Sequence, residues 1–113
     1  MAQAARLICA SAELADGGKG VRFEIQTASG MQAAFAVRYG GKVFGFLNRC
    51  AHIGIELDWQ PGEFFDESGL YLVCATHGAT YLPDSGMCIA GPCRGARLTQ
   101  LDVFEHNGGI YLK

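Results

Sequence analysis

Four residues between positions 50 and 77 have the types and the spacing to bind metal. Cys50-Ala51-His52 opens the stretch, Cys74-Ala75-Thr76-His77 closes it, and a glycine lies just beyond each histidine, at Gly54 and Gly78. A thiolate is a soft ligand and an imidazole a borderline one, so paired Cys and His favour zinc, copper or iron-sulfur chemistry over magnesium or calcium. Zinc fingers usually gather two cysteines in one half-site and two histidines in the other. Here each half-site is one Cys followed closely by one His, an order that suits a cluster of two unlike irons, one held by sulfur and one by nitrogen. A mononuclear structural zinc is the competing reading. Buried cysteines are common as small hydrophobes and histidines are often structural, yet two of the three histidines in the chain fall in this pattern. The third, His106, sits beside a turn and reads as a surface residue.

The two loops resemble those of the Rieske iron-sulfur family, in which Cys-x-His and Cys-x-x-His-Gly loops are separated by a variable insert. The matching residues are Cys50, His52, Cys74, His77 and Gly78; Gly91-Pro92 fits the family's third loop over the cluster, and the resemblance runs from about Val21 to the C-terminus. It implies a Rieske-type 2Fe-2S cluster as cofactor, with Cys50, His52, Cys74 and His77 as the metal-binding residues. It further implies a ferredoxin: a one-electron carrier rather than an enzyme, serving a multi-component oxidoreductase. Its donor would be a flavin-dependent reductase and its acceptor a terminal oxygenase, often of the aromatic-ring-hydroxylating type. A small Rieske subunit of a larger reductase, such as a nitrite reductase, is the alternative within the family, and a zinc-stabilised interaction module is the alternative outside it.

Departures from the family bear on the potential. High-potential members carry an extra cysteine in each loop, joined as a disulfide, where this chain has Ile55 and Thr76, and a serine after the second-loop glycine, where it has Ala79. Their nearby tyrosine is matched by Tyr81. Hydrogen bonds donated to cluster sulfur favour the reduced state, so losing the serine lowers the potential while Tyr81 keeps part of the effect. The expected potential is therefore nearer about −150 mV than about +300 mV. Ile53, Ala79 and Pro92 are expected on an uncharged rim around the exposed histidines, with Ile53, Ile55 and Leu57 keeping water from the sulfur.

The elements that must position these loops read as strands. Arg6-Leu7-Ile8-Cys9 is a plausible first strand, with Cys9 in the core, and Ser11 can cap one helical turn over Ala12-Glu13-Leu14. From Val21 to Thr27, apolar Val21, Phe23 and Ile25 alternate with polar neighbours, the period of a half-buried strand. Ala33, Phe35 and Val37 share a face of the next strand, Gly40-Gly41 makes a two-residue hairpin turn, and Val43 to Leu47 returns to deliver Asn48-Arg49 and the first loop. Ile53 to Trp59 has no periodicity and reads as loop. Phe64-Phe65 and Leu70 to Val73 flank a turn at Asp66 to Gly69 and lead to the second loop. Pro83 to Gly86 turns the chain into Met87-Cys88-Ile89. Leu98 to Phe104 and Ile110 to Leu112 flank Asn107-Gly108-Gly109, a hairpin signal.

The whole chain fits one module. Its 113 residues hold 16 glycines and only 18% charged residues, which predicts many tight turns between short strands. The fold class expected is all-β: a small antiparallel sandwich or partly closed barrel over residues 1–113, with a cluster-binding subdomain from about 46 to 97 inserted between its strands. A net charge of −2 and the lack of any Lys/Arg cluster argue against nucleic acid or an anionic membrane as partner. Five cysteines, an odd number, and no secretory signal predict a reducing, cytoplasmic location, and no apolar run approaches the ~20 residues that span a bilayer. Cys88 and Cys93 are close in sequence, but thiols are the default in such a compartment.

Overall fold

The computed structural model describes residues 5–51, 55–58, 60–75, 78–91 and 94–113. Among them the chain runs β1 (Arg6–Ala10), a 3-10 turn (Ser11–Glu13), β2 (Val21–Thr27), β3 (Gly30–Tyr39), β4 (Lys42–Leu47), β5 (Leu72–Val73), β6 (Thr80–Tyr81), β7 (Cys88–Ala90), β8 (Gln100–Leu101), β9 (Val103–His106) and β10 (Gly109–Leu112). The strands form three antiparallel sheets, ordered β1-β10-β9, β2-β3-β4-β8 and β5-β6-β7. The all-β expectation holds in its sandwich form, with the sheets not closed into a barrel.

The alternation from Val21 to Thr27 forms β2, half-buried and exposed residues taking turns along it. The hairpin joining β3 to β4 pairs Tyr39 with Lys42 across Gly40 and Gly41. Both glycines have positive φ, 60° and 80°, the geometry whose twist matches that of the flanking strands. Asn107 and Gly108 do the same between β9 and β10, with φ of 46° and 78°.

β3 is buried on both faces rather than one: Ala34, Phe35, Ala36 and Val37 are all fully buried. Phe35 and Val37 face one core, together with Phe46, Leu57, Phe64, Leu72, Tyr81 and Leu98. Ala36 faces another, with Cys9, Leu14 and Ile110 of the β1-β10-β9 side. Small alanines on that face let the two sheets approach closely, while the Phe35 and Phe64 rings stack at 3.9 Å on the other.

Two local readings are corrected. Ser11 does not cap the helical turn; Ala10 holds the cap position and its N–H donates to the Glu13 carboxylate at 2.8 Å. Leu98 to Phe104 is not one strand. It breaks at Asp102, with β8 in the sheet of β4 and β9 in the sheet of β10. The chain changes sheets where it passes Gly45, whose missing Cβ would lie 2.7 Å from Val103 Cγ1, so glycine makes room for the crossing. Phe64-Phe65 also falls short of a strand, keeping one bridge from Phe65 to Leu72 and a bond from Val73 N–H to the Phe64 carbonyl.

Candidate metal centre

β4 ends at Leu47 and releases the first loop from the middle of the four-stranded sheet. Within it the Cys50 N–H donates to the Ile55 carbonyl at 2.6 Å, which folds the loop back on itself. β5 ends at Val73 and releases the second loop, where Cys74 N–H donates to the Ala79 carbonyl at 2.8 Å and Gly78 N–H returns to the Cys74 carbonyl at 2.9 Å. That tight clasp needs a positive φ at Gly78, which is 72°, and a Cβ there would meet none of the described residues within 4 Å. Among the described residues the requirement at Gly78 is therefore conformational. Ala75 N–H donates to the Leu57 carbonyl at 3.0 Å and joins the second loop to the first.

The two loops bring Cys50 and Cys74 into one buried cluster, with relative exposures of 1% and 0%, beside Leu57, Ala79, Tyr81 and Cys88. The Tyr81 hydroxyl lies 3.4 Å from Cys50 Sγ and accepts the Ala51 N–H at 3.1 Å. Toward a Cys50 thiolate, which carries no proton, the hydroxyl is the group that donates. A buried thiolate is costly in apolar surroundings unless a cation or a donor compensates it. Cys50 and Cys74 as soft ligands, with a phenol aimed at one of them, fit the sulfur side of an iron-sulfur cluster.

His52 and His77 lie outside the described residues, as do Ile53, Thr76, Pro92 and Cys93; the nitrogen side and the Cys88–Cys93 question therefore lie there too. Of the expected rim, Ala79 is placed differently: it is fully buried. Gly91 covers it, since a Cβ at Gly91 would sit 2.9 Å from Ala79 Cα. Of the expected water shield, Leu57 is fully buried, whereas Ile55 is 36% exposed. His106 is exposed beside its turn, and Cys9 is buried in the other core, where desolvation first and then Glu13 push its thiol pKa up against the opposing influence of Arg38. The buried pair Asn48 and Asp58, which ties down the base of the first loop, had no sequence signal. Their spacing is that of an ordinary loop, and only burial sets them apart.

Comparison with known proteins adds the family. The Rieske [2Fe-2S] domain matches residues 5–105. The chain is similar in structure to the Sphingomonas yanoikuyae B1 ferredoxin, with 22% identity and a TM-score of 0.74, covering 97% of this chain and 98% of that one. It is similar to the ferredoxin of carbazole 1,9a-dioxygenase from Nocardioides aromaticivorans IC177 at 20% identity and a TM-score of 0.72, with 97% of each chain covered. A chain in the complex of reduced oxygenase and oxidized ferredoxin in carbazole 1,9a-dioxygenase matches at 20% identity and a TM-score of 0.73, over 98% of this chain and 94% of that one. No curated protein matches the sequence. These structures share the fold, and the domain match spans nearly the whole chain: the protein belongs to the Rieske [2Fe-2S] domain family, and a Rieske 2Fe-2S cluster is its cofactor.

Proposed function

We propose that the protein is a one-electron carrier of the ferredoxin type, holding its cluster with Cys50 and Cys74 on one iron and His52 and His77 on the other. The observation that carries this is the convergence of the two loops, which buries both cysteines in one core with the Tyr81 hydroxyl at Cys50 Sγ. When bound, such a cluster accepts and returns a single electron at a potential raised by histidine ligation relative to an all-cysteine cluster. The chain's own residues supply the rest. Leu57, Phe64, Leu72 and Ala79 are fully buried around the cysteines and exclude water from sulfur. With Cys50 as a thiolate the Tyr81 hydroxyl is the donor toward it, and Gly91 lies close against Ala79. In this reading residues 1–113 are one Rieske domain, with a cluster-binding subdomain from about 46 to 97.

A solved carbazole 1,9a-dioxygenase complex joins a ferredoxin to its oxygenase. By that analogy the acceptor of this chain is a terminal oxygenase of the aromatic-ring-hydroxylating type. Its donor is a flavin-dependent reductase, and the setting is the cytoplasm. Among the described residues no helix is long and apolar enough to cross a membrane.

The test is anaerobic reconstitution. The loaded protein should be red-brown, carry two irons and two labile sulfides, and give a reduced-state electron spin resonance signal of lower average g than an all-cysteine ferredoxin. Cys50→Ser and Cys74→Ser should abolish the cluster and Cys9→Ser should keep it. A colourless protein that binds zinc without labile sulfide would overturn the reading. For the partners, reduction by a flavin reductase followed by transfer to an oxygenase should be measurable by stopped flow. Tight co-purification with one large reductase subunit would instead point to a fixed component of that enzyme.

A further inference from the structure

Two polar or charged residues are buried among the described residues, Asn48 at 3% exposure and Asp58 at 5%, and they are bonded to each other. Asn48 Nδ2 donates to Asp58 Oδ1 at 2.8 Å. Asp58 Oδ2 accepts the Gly62 N–H at 2.9 Å and faces Arg22 Nε of β2 at 3.4 Å. Burying a carboxylate among apolar side chains is costly unless its oxygens are satisfied, and here both are. The other end of the amide reaches the first loop: Asn48 Oδ1 accepts the Leu57 N–H at 2.8 Å.

The position of this pair matters more than its energy. Asn48 is anchored on β3, its N–H donating to the Ala33 carbonyl at 2.9 Å, and the Leu57 carbonyl accepts the Ala75 N–H at 3.0 Å, one residue from Cys74. A continuous hydrogen-bonded path therefore runs from β3 through the Asn48 side chain to Leu57 and on to the second loop. The Asn48 amide thus closes the base of the first loop, outside the Cys50–Ile55 hydrogen bond. An amide can sit in either of two orientations related by a flip. The Asp58 carboxylate only accepts, so Nδ2 must face it and Oδ1 must face Leu57. Arg22 adds an outer strap, with its guanidinium 2.5 Å from Glu56 Oε1.

We propose that the Asn48–Asp58 pair is the positioning device of the metal centre: Asp58 locks the orientation of the Asn48 amide, and the amide sets the span of the first loop and its distance from the second. The proposal rests on reading Cys50, His52, Cys74 and His77 as ligands. Neither residue of the pair is a ligand in that reading; they act through the Leu57 backbone. Outer partners of metal ligands typically alter affinity by roughly 10–100-fold when removed.

The experiment is a reciprocal swap, using Asn48→Asp, Asp58→Asn and the double variant. Amide hydrogen exchange is followed in the apoprotein, and spin-resonance line shape and bleaching by excess chelator are followed in the loaded protein. Asn48→Asp sets a second carboxylate against Asp58 and should speed exchange at Leu57 and Ala75 by at least about tenfold. Cluster loss should accelerate by roughly 10–100-fold and the line shape should change, while the amides between β2 and β3 exchange as in the wild type. In the double variant every bond can re-form with donor and acceptor exchanged: the new carboxylate at 48 accepts from Leu57 and from the new amide at 58, whose oxygen accepts from Gly62. It should return exchange, line shape and cluster loss to near wild-type values. If Asn48→Asp does not fold, Asp58→Asn alone should release the amide lock and speed exchange at Leu57 severalfold. Unchanged exchange at Leu57 in both single variants, or a double variant no better than Asn48→Asp, overturns the proposal. A wild-type protein that takes up no iron would instead defeat the ligand assignment, while the exchange arm still decides whether the pair holds the loop.

Discussion

Tyr81 and Gly91 show how single residues shape the centre. Tyr81 is fully buried and its hydroxyl sits 3.4 Å from Cys50 Sγ. Tyr81→Phe keeps the ring and removes only the donor. A net hydrogen bond of ~1 kcal/mol that favours the reduced state corresponds to ~40 mV for one electron, so the potential of the loaded variant should fall by about that much in a redox titration. A rise, or no change, would mean the hydroxyl gives its proton elsewhere. Gly91 has φ of 97°, and a Cβ there would approach Ala79 Cα to 2.9 Å, whereas a Cβ at Gly78, with φ of 72°, would meet none of the described residues within 4 Å. Gly78→Ala should cost only the left-handed backbone, about 1–2 kcal/mol. Gly91→Ala adds a collision with buried backbone and should cost at least about 1 kcal/mol more, read from denaturant unfolding of the two variants side by side.

Among the elements, the crossing of β4 and β9 decides how the two larger sheets meet. Gly45 pairs with Leu101 of β8, and a Cβ on it would fall 2.7 Å from Val103 Cγ1 of β9. Gly45→Ala should therefore destabilise the fold by about 1–3 kcal/mol through overpacking. Val103→Ala in the same chain should recover part of that loss, because it removes the atoms that collide. The double-mutant cycle should show coupling of at least about 0.5 kcal/mol. Strict additivity would mean the sheets can separate at this point without strain. The same crossing explains why β8 and β9 are short: Gln100–Leu101 and Val103–His106 each pair in their own sheet, and Asp102 lies between them.

The molecule as a whole is pinned across its sandwich by Arg38 of β3 and Glu105 of β9. Arg38 Nη1 and Nη2 donate to the two Glu105 oxygens at 3.0 and 2.7 Å, and Arg38 Nε donates to the Leu14 carbonyl at 2.8 Å. The paired guanidinium holds the Glu105 carboxyl down from 4.5 to about 2. A carboxyl whose pKa is lower folded than unfolded binds protons more readily in the unfolded chain, so its stabilising effect is present above about pH 4.5 and is lost as the pH falls toward 2. Unfolding midpoints should decline over that window in the apoprotein. Glu105→Gln should flatten the part of the decline that this group contributes, while leaving the midpoint's behaviour above pH 6 parallel to the wild type.

Local spacing and covalent geometry made much of this protein legible from its sequence. Cys50 with His52 and Cys74 with His77 stand out because a ligand loop must gather donors within a few residues. The alternation in β2 and the turns at Gly40-Gly41 and Asn107-Gly108 stand out because period and positive φ are properties of short stretches. What remained hidden depends on residues far apart in the chain. The Asn48 amide matters because Leu57, Asp58 and Ala33 meet it, and nothing in an Asn after a strand announces that. Ala79 is expected on the rim but is fully buried with Gly91 against it, and the stretch from Leu98 to Phe104, one strand by its sequence, serves two sheets because Gly45 lets it cross. Burial and crossing are set by what packs against a residue, so only the tertiary structure could decide them.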